Sequence, residues 1–145
     1  MKRISFYQDG VRMPNVKKSL LRAWIEEIIL SHGKKLHQID YIFCSDQELL
    51  PINKEFLNHS TLTDIITFDY STKHHLHGEI YISLQRVKEN AYIFQKKYKE
   101  EFLRVLCHGV LHLIGYQDKK EKDIKIMRKK EDDCISLFYS ILASQ

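Results

Sequence analysis

His108 and His112 stand four residues apart in the segment Glu101-Phe-Leu-Arg-Val-Leu-Cys-His-Gly-Val-Leu-His-Leu-Ile-Gly-Tyr-Gln-Asp118. On an α-helix this spacing puts both imidazoles on one face, offset by about 40°. Two imidazoles on a rigid backbone can hold one metal ion. Gly115 can take the left-handed conformation that ends a helix and turns the chain. Asp118 then comes within reach as a third ligand. Three protein ligands leave a tetrahedral ion one position for water, which the ion turns into a nucleophile near neutral pH. Asp118 has a second reading, as the N-cap of a following helix with Glu121 as its box partner.

An i,i+4 His pair on a solvated helix usually does nothing. Here Phe102, Leu103, Val105, Leu106, Cys107, Val110, Leu111, Leu113 and Ile114 make the segment apolar nearly all round, so burial is expected. Buried imidazoles must be hydrogen-bonded or ligated. A zinc protease of the H-E-x-x-H type needs a Glu after the first His as general base. Gly109 occupies that position, which keeps the metal and loses the base. Gly109 fits either close helix packing or room beside the ion. Glu101 lies about 10 Å before His108 along a helix, too far to ligate. It is expected to pair with Arg104 or to support the site from outside. His74, His75 and His77 cluster on an apparent loop, where metal binding is the less common outcome.

The elements that must position these groups are legible. Strands are expected over 4–7, 39–44, 65–70 and 79–83. Helices are expected over about 15–31 with Asn15 as cap and Gly33 beyond its end, and over 45–57 from the Ser45-Asp-Gln-Glu48 box. Pro51 confines that second helix to its first turn or kinks it. Three more helices are expected over about 84–98, 100–114 and 120–142, with residues 71–78 as a loop. The result is an α+β fold around a small four-stranded sheet. The 145 residues, 43% hydrophobic and 29% charged, describe one ordinary globular domain, 1–145. Cys44, Cys107 and Cys134 show no C-x-x-C spacing and read as buried hydrophobes in a reduced, cytoplasmic chain. No signal peptide or membrane span is evident. The net charge of +4 permits a nucleic-acid partner without requiring one. Lys96, Lys97, Lys99 and Arg104 form one basic patch, and Lys17, Lys18 and Arg22 another.

His108-Gly-x-Leu-His112-Leu-x-Gly-Tyr116 resembles the signature of the YbeY family of bacterial ribosomal-RNA maturation endoribonucleases. Thr63-Asp-Ile-Ile-Thr-Phe68 is similar to the family's T-D-V-L-S-F, and Asn53-x-x-Phe56 precedes it at the family spacing. Gly78-Glu-Ile-Tyr-Ile-Ser83 is similar to its G-D-I-x-I-S strand, and Met127 with Glu131 to its closing M-x-x-x-E. The resemblance implies a zincin-like fold, a mixed sheet with about five helices and a metal site at the end of a buried helix. It implies one zinc ion on His108, His112 and the position of Asp118, where the family carries His. An Asp hardens the ligand set, which makes Mn2+ or Fe2+ alternatives. The activity implied is single-strand cleavage in maturation of the small-subunit rRNA 3′ end and in ribosome quality control. The implied partners are ribosomal RNA and the small subunit, with ribosomal proteins or a ribosome-associated GTPase as protein candidates. Thr63 and Asp64 become substrate-side candidates. The family's Arg after the aromatic of N-x-x-[YF] is Leu57 here, and His59 is the nearest substitute. Two rival functions follow: a ribosome-assembly factor that binds RNA without cutting, favoured by Leu57 and Asp118, and a peptidase, disfavoured by Gly109.

Overall fold

In the strands β2 (Lys35–Cys44) and β4 (His75–Ser83) the inward residues alternate as strand geometry requires: Ile39, Tyr41 and Phe43 on one, Leu76, Gly78, Ile80 and Ile82 on the other. These strands form the centre of the sheet. The computed structural model describes residues 3–57 and 63–145, and of 55–57 it describes the backbone. In chain order the elements are β1 (Ile4–Gln8), α1 (Lys18–Ser31), β2 (Lys35–Cys44), α2 (Asp46–Leu57), β3 (Ile65–Asp69), β4 (His75–Ser83), α3 (Leu84–Ile93), α4 (Tyr98–Ile114) and α5 (Glu121–Ala143). The sheet order is β1-β2-β4-β3. β1 and β4 pair parallel with β2, and β3 closes the edge antiparallel to β4.

The alternation divides the core in two. One set of inward residues meets α1, α3, α4 and α5, while Cys44, Ile66, Phe68 and Tyr81 meet Leu49 and Ile52 of α2 on the opposite face. α1 buries Leu20, Leu21, Trp24, Ile25, Ile28 and Ile29. Trp24 donates its indole N–H to Cys134 O at 2.7 Å, which ties α1 to α5. Tyr41 donates its hydroxyl to Leu106 O at 2.9 Å, which ties β2 to α4. Burial pushes the Tyr41 phenol well above its usual range, so it stays a neutral donor.

α4 is the deepest helix. Phe102, Leu103, Leu106, Val110 and Leu111 are wholly buried, each contributing roughly 1.5–3 kcal/mol by burial. Two glycines let it lie close to the sheet. A Cβ on Gly109 would sit 2.9 Å from Ile80 Cδ1, and one on Gly78 would sit 2.9 Å from both Leu113 Cδ2 and Phe68 O. Close packing is therefore the role of Gly109. Gly115, at φ 129°, ends α4, and Tyr116 N–H returns to Leu111 O at 3.0 Å.

Four expectations need correction. β2 and β4 both begin earlier than read, because Lys35 and Leu36 pair with His75 and Leu76. His75 and His77 are thus strand residues, and among the described residues they join no three-ligand cluster. α1 starts at Lys18 with Lys17 as its cap, without a side-chain cap bond from Asn15. α3 stops at Ile93 because the chain turns through Gln95 at φ 56°. The Ser45–Glu48 box forms as read, with Ser45 Oγ accepting from Glu48 N–H and Glu48 Oε1 from Ser45 N–H. Pro51 stands inside α2, beyond its first turn. Among the described residues no helix is long and apolar enough to cross a membrane.

Candidate metal centre

His108 and His112 project from the C-terminal half of α4 into an open cleft of about 670 Å³. The turn through Gly115 brings Asp118 back over them. His108 Nε2 and His112 Nε2 are 3.0 Å apart, and each lies 3.2 Å from Asp118 Oδ2. Asp118 caps nothing: α5 begins at Glu121 with Lys120 as its N-cap and no side-chain cap bond.

The other ring nitrogens explain why these three atoms face one another. His108 Nδ1 lies 2.6 Å from Glu131 Oε2, and His112 Nδ1 lies 2.9 Å from Tyr116 O. A carboxylate and a carbonyl only accept, so both Nδ1 atoms donate and both Nε2 atoms turn a lone pair inward. Two such nitrogens and a carboxylate oxygen repel unless a cation or proton lies among them. A tetrahedral ion with bonds of about 2.0–2.1 Å needs ligand atoms about 3.3 Å apart. The 3.0–3.2 Å triangle fits that requirement closely.

Glu131 was legible only as part of the closing M-x-x-x-E, and its contact with α4 was not foreseen. It is buried and accepts from Arg104 at 3.0 Å as well as from His108. Burial pushes its carboxyl up, but the hydrogen bonds of His108 and Arg104 outweigh this and hold it below the usual range. Burial pulls the His108 imidazole down, and the hydrogen bond and charge of Glu131, then Asp118 and Asp64, raise it overall. A proton and a metal ion therefore compete for His108. Glu131→Gln removes the charge and keeps the shape; metal affinity should fall about 10- to 100-fold in competition against a chelator. An unchanged affinity would make Glu131 a purely structural residue.

Arg104 does not pair with Glu101 as expected. Its second nitrogen reaches Asp132 Oδ1 at 2.8 Å, so its charge is spent on α5. Glu101 lines the cleft instead, its carboxyl pushed up by burial and by Asp64. Asp64, also in the lining, is raised chiefly by burial. Thr63 is at the rim, its Oγ1 donating to Ile65 O at 3.3 Å. The cleft also takes in Lys119 and Arg128, the latter with a 3.4 Å contact to Glu131. Leu57 ends α2; its side chain and the whole of His59 lie outside the described residues.

The model of the endoribonuclease YbeY family matches residues 4–138. This chain belongs to that family. Among curated YbeY endoribonucleases, that of Flavobacterium psychrophilum is 52% identical over 116 residues, 80% of this chain and 83% of its own. That of Porphyromonas gingivalis is 38% identical over 145 residues, 100% of this chain and 96% of its own. The solution structure of TM1509 from Thermotoga maritima superposes with a TM-score of 0.67 at 28% identity, covering 97% of this chain and 92% of that one. The YbeY chain described here has the expected zincin-like α+β fold, with a mixed four-stranded sheet and five helices among the described residues. Its candidate metal cluster is at the end of the buried helix.

Proposed function

We propose that this chain is a metal-dependent endoribonuclease that cuts single-stranded RNA during ribosomal-RNA maturation, at the 3′ end of the small-subunit RNA and in ribosome quality control. The observation that carries the reading is the triangle of inward-facing acceptor atoms on His108, His112 and Asp118 in an open cleft. Those three residues would hold one ion, with zinc the first candidate and Mn2+ or Fe2+ favoured relative to a three-His site by the carboxylate. Bound there, the ion would supply Lewis acidity toward a phosphodiester.

The chain's own residues do the rest. Glu131 and Tyr116 O orient the two imidazoles. Lys119 and Arg128 put positive charge at the cleft, where it can meet RNA phosphates. Asp64 and Glu101, both raised above the usual carboxyl range chiefly by burial, are the cleft's candidate proton-transfer groups. Thr63 stands at the same rim as a substrate contact. The partners are ribosomal RNA and the small subunit, with ribosomal proteins or a ribosome-associated GTPase as candidates, and the setting is the cytoplasm. A peptidase is disfavoured because Gly109 supplies no base and faces the sheet.

The test is cleavage of single-stranded and duplex RNA by wild type and His112→Ala, chelated and then reloaded with zinc, manganese or iron. Cleavage should be single-strand-selective, lost on chelation, restored by one ion, and reduced at least ~100-fold by the substitution. RNA binding that survives chelation, with no cleavage at any metal loading, would replace the enzyme by an assembly factor.

A further inference from the structure

Three consecutive large apolar side chains stand exposed at the end of α3. Tyr92 is 87% exposed, Ile93 64% and Phe94 58%. The segment is held in place by its backbone: Phe94 N–H donates to Asn90 O at 2.9 Å, Gln95 N–H to Tyr92 O at 3.2 Å and Lys96 N–H to Ala91 O at 2.8 Å. Ala91 and Val87 are buried beneath it. The aromatic groups are thus presented from a fixed turn, and neither ring stacks on another aromatic among the described residues. Exposed aromatics in sequence are costly in water and mark a surface that meets something.

Two further observations identify what. Phe94 lines the same cleft as His108, His112 and Asp118, so the patch is continuous with the candidate metal centre. Lys96 and Lys97 follow directly; both are exposed, and neither is in an ion pair among the described residues. Flat π faces beside unpaired ammonium groups suit a polyanion with unstacked bases. Single-stranded RNA is such a ligand, whereas a duplex hides its base faces in its own stack.

Resting on the endoribonuclease reading above, we propose that the turn over residues 92–97 is a stacking platform for the nucleotides flanking the scissile bond. Phe94 receives the base nearest the cleft and Tyr92 a base further out. Lys96 and Lys97 meet the intervening phosphates. The platform selects single strands and leaves the reaction itself to the cleft.

The experiment compares metal-loaded wild type with Phe94→Ala, Tyr92→Ala and the double variant. The substrates are a single-stranded oligonucleotide long enough to leave the cleft and a dinucleotide confined to it. Each aromatic loss should raise KM on the oligonucleotide about 5- to 100-fold; for Tyr92→Ala the rise should be several times that on the dinucleotide, whereas Phe94→Ala, in the cleft wall, should affect both. Phe94→Trp and Tyr92→Phe should restore it, which a merely structural role would not explain. Lys96→Ala and Lys97→Ala should each flatten the salt dependence of oligonucleotide binding by about 0.7 in log–log slope. Anisotropy of a labelled oligonucleotide is read in parallel. If wild type binds but does not cut, the endoribonuclease reading fails, and weaker binding by the double variant still supports the platform. Equal binding by wild type and the double variant, or none by either, overturns the platform and leaves the patch to a protein ligand.

Discussion

Asp118→Ala should abolish retention through purification of the metal ion proposed for His108, His112 and Asp118. Asp118 Oδ2 is the third corner of the triangle with two imidazole nitrogens, and it carries the only formal negative charge among those three groups. Outer-shell losses cost about 10- to 100-fold in metal affinity, and a ligand that is both anionic and direct should exceed that range. Elemental analysis of wild type and variant reads the effect, and single-stranded RNA cleavage should fall with occupancy. Asp118→His gives the sign of the charge. It restores the family's three imidazoles and removes one negative charge from the site. Metal retention should recover, and the acid limb of the pH–rate profile should move to lower pH. Unchanged occupancy in Asp118→Ala would remove Asp118 from the ligand set.

The site was legible where its chemistry is local. His108, His112, Gly115 and Asp118 fall within eleven residues, so helix periodicity and one glycine turn suffice to bring them together. Glu131 lies twenty-three residues from His108 and reaches it only because α5 packs on α4. No periodicity reports that contact. The same packing misled the assignment of Arg104, which an i,i+3 rule paired with Glu101 and which the fold pairs with Glu131 and Asp132. Local pair rules describe an isolated helix, and α4 is not isolated.

A similar division holds for the fold. Ile39 to Cys44 and Glu79 to Ser83 read as strands because apolar and β-branched side chains alternate there. Their N-terminal extensions, Lys35-Leu-His-Gln and His75-Leu-His, are mostly polar; the first carried no strand signal and the second read as loop. They become strand by pairing with each other across forty residues of chain, around buried Leu36 and Leu76. Sheet order is likewise a long-range fact. The patch at Tyr92–Phe94 was not legible for another reason: Tyr92 and Ile93 close α3 and Phe94 caps it, and which face of that last turn stays uncovered depends on what packs against α3.

Gly109→Glu should unfold the protein rather than turn it into a peptidase. The substitution creates the H-E-x-x-H sequence on a helix that already carries both histidines. Yet the Cα–Cβ direction at Gly109 leads into the sheet, with Ile80 Cδ1 at 2.9 Å and Ile65 Cδ1 at 3.1 Å. A side chain placed there starts out against the apolar carbons of Ile80 and Ile65. Steric displacement of α4 from β4 adds to the cost of a buried, unpaired charge, so the loss should exceed about 4 kcal/mol. That is a large share of the ~5–15 kcal/mol that holds a domain of this size together. Gly109→Ala separates the two effects. Overpacking costs about 1–3 kcal/mol, and the helix propensity of Ala returns about 1, leaving a folded protein with a modestly lower midpoint. Urea unfolding of the three proteins measures both. A Gly109→Glu variant that keeps the wild-type midpoint, or that cleaves peptide, would mean that the helix can rotate Gly109 away from Ile65 and Ile80. The close approach of α4 to β4 would then be incidental, and the base missing from this metal centre would be a matter of sequence alone rather than of space.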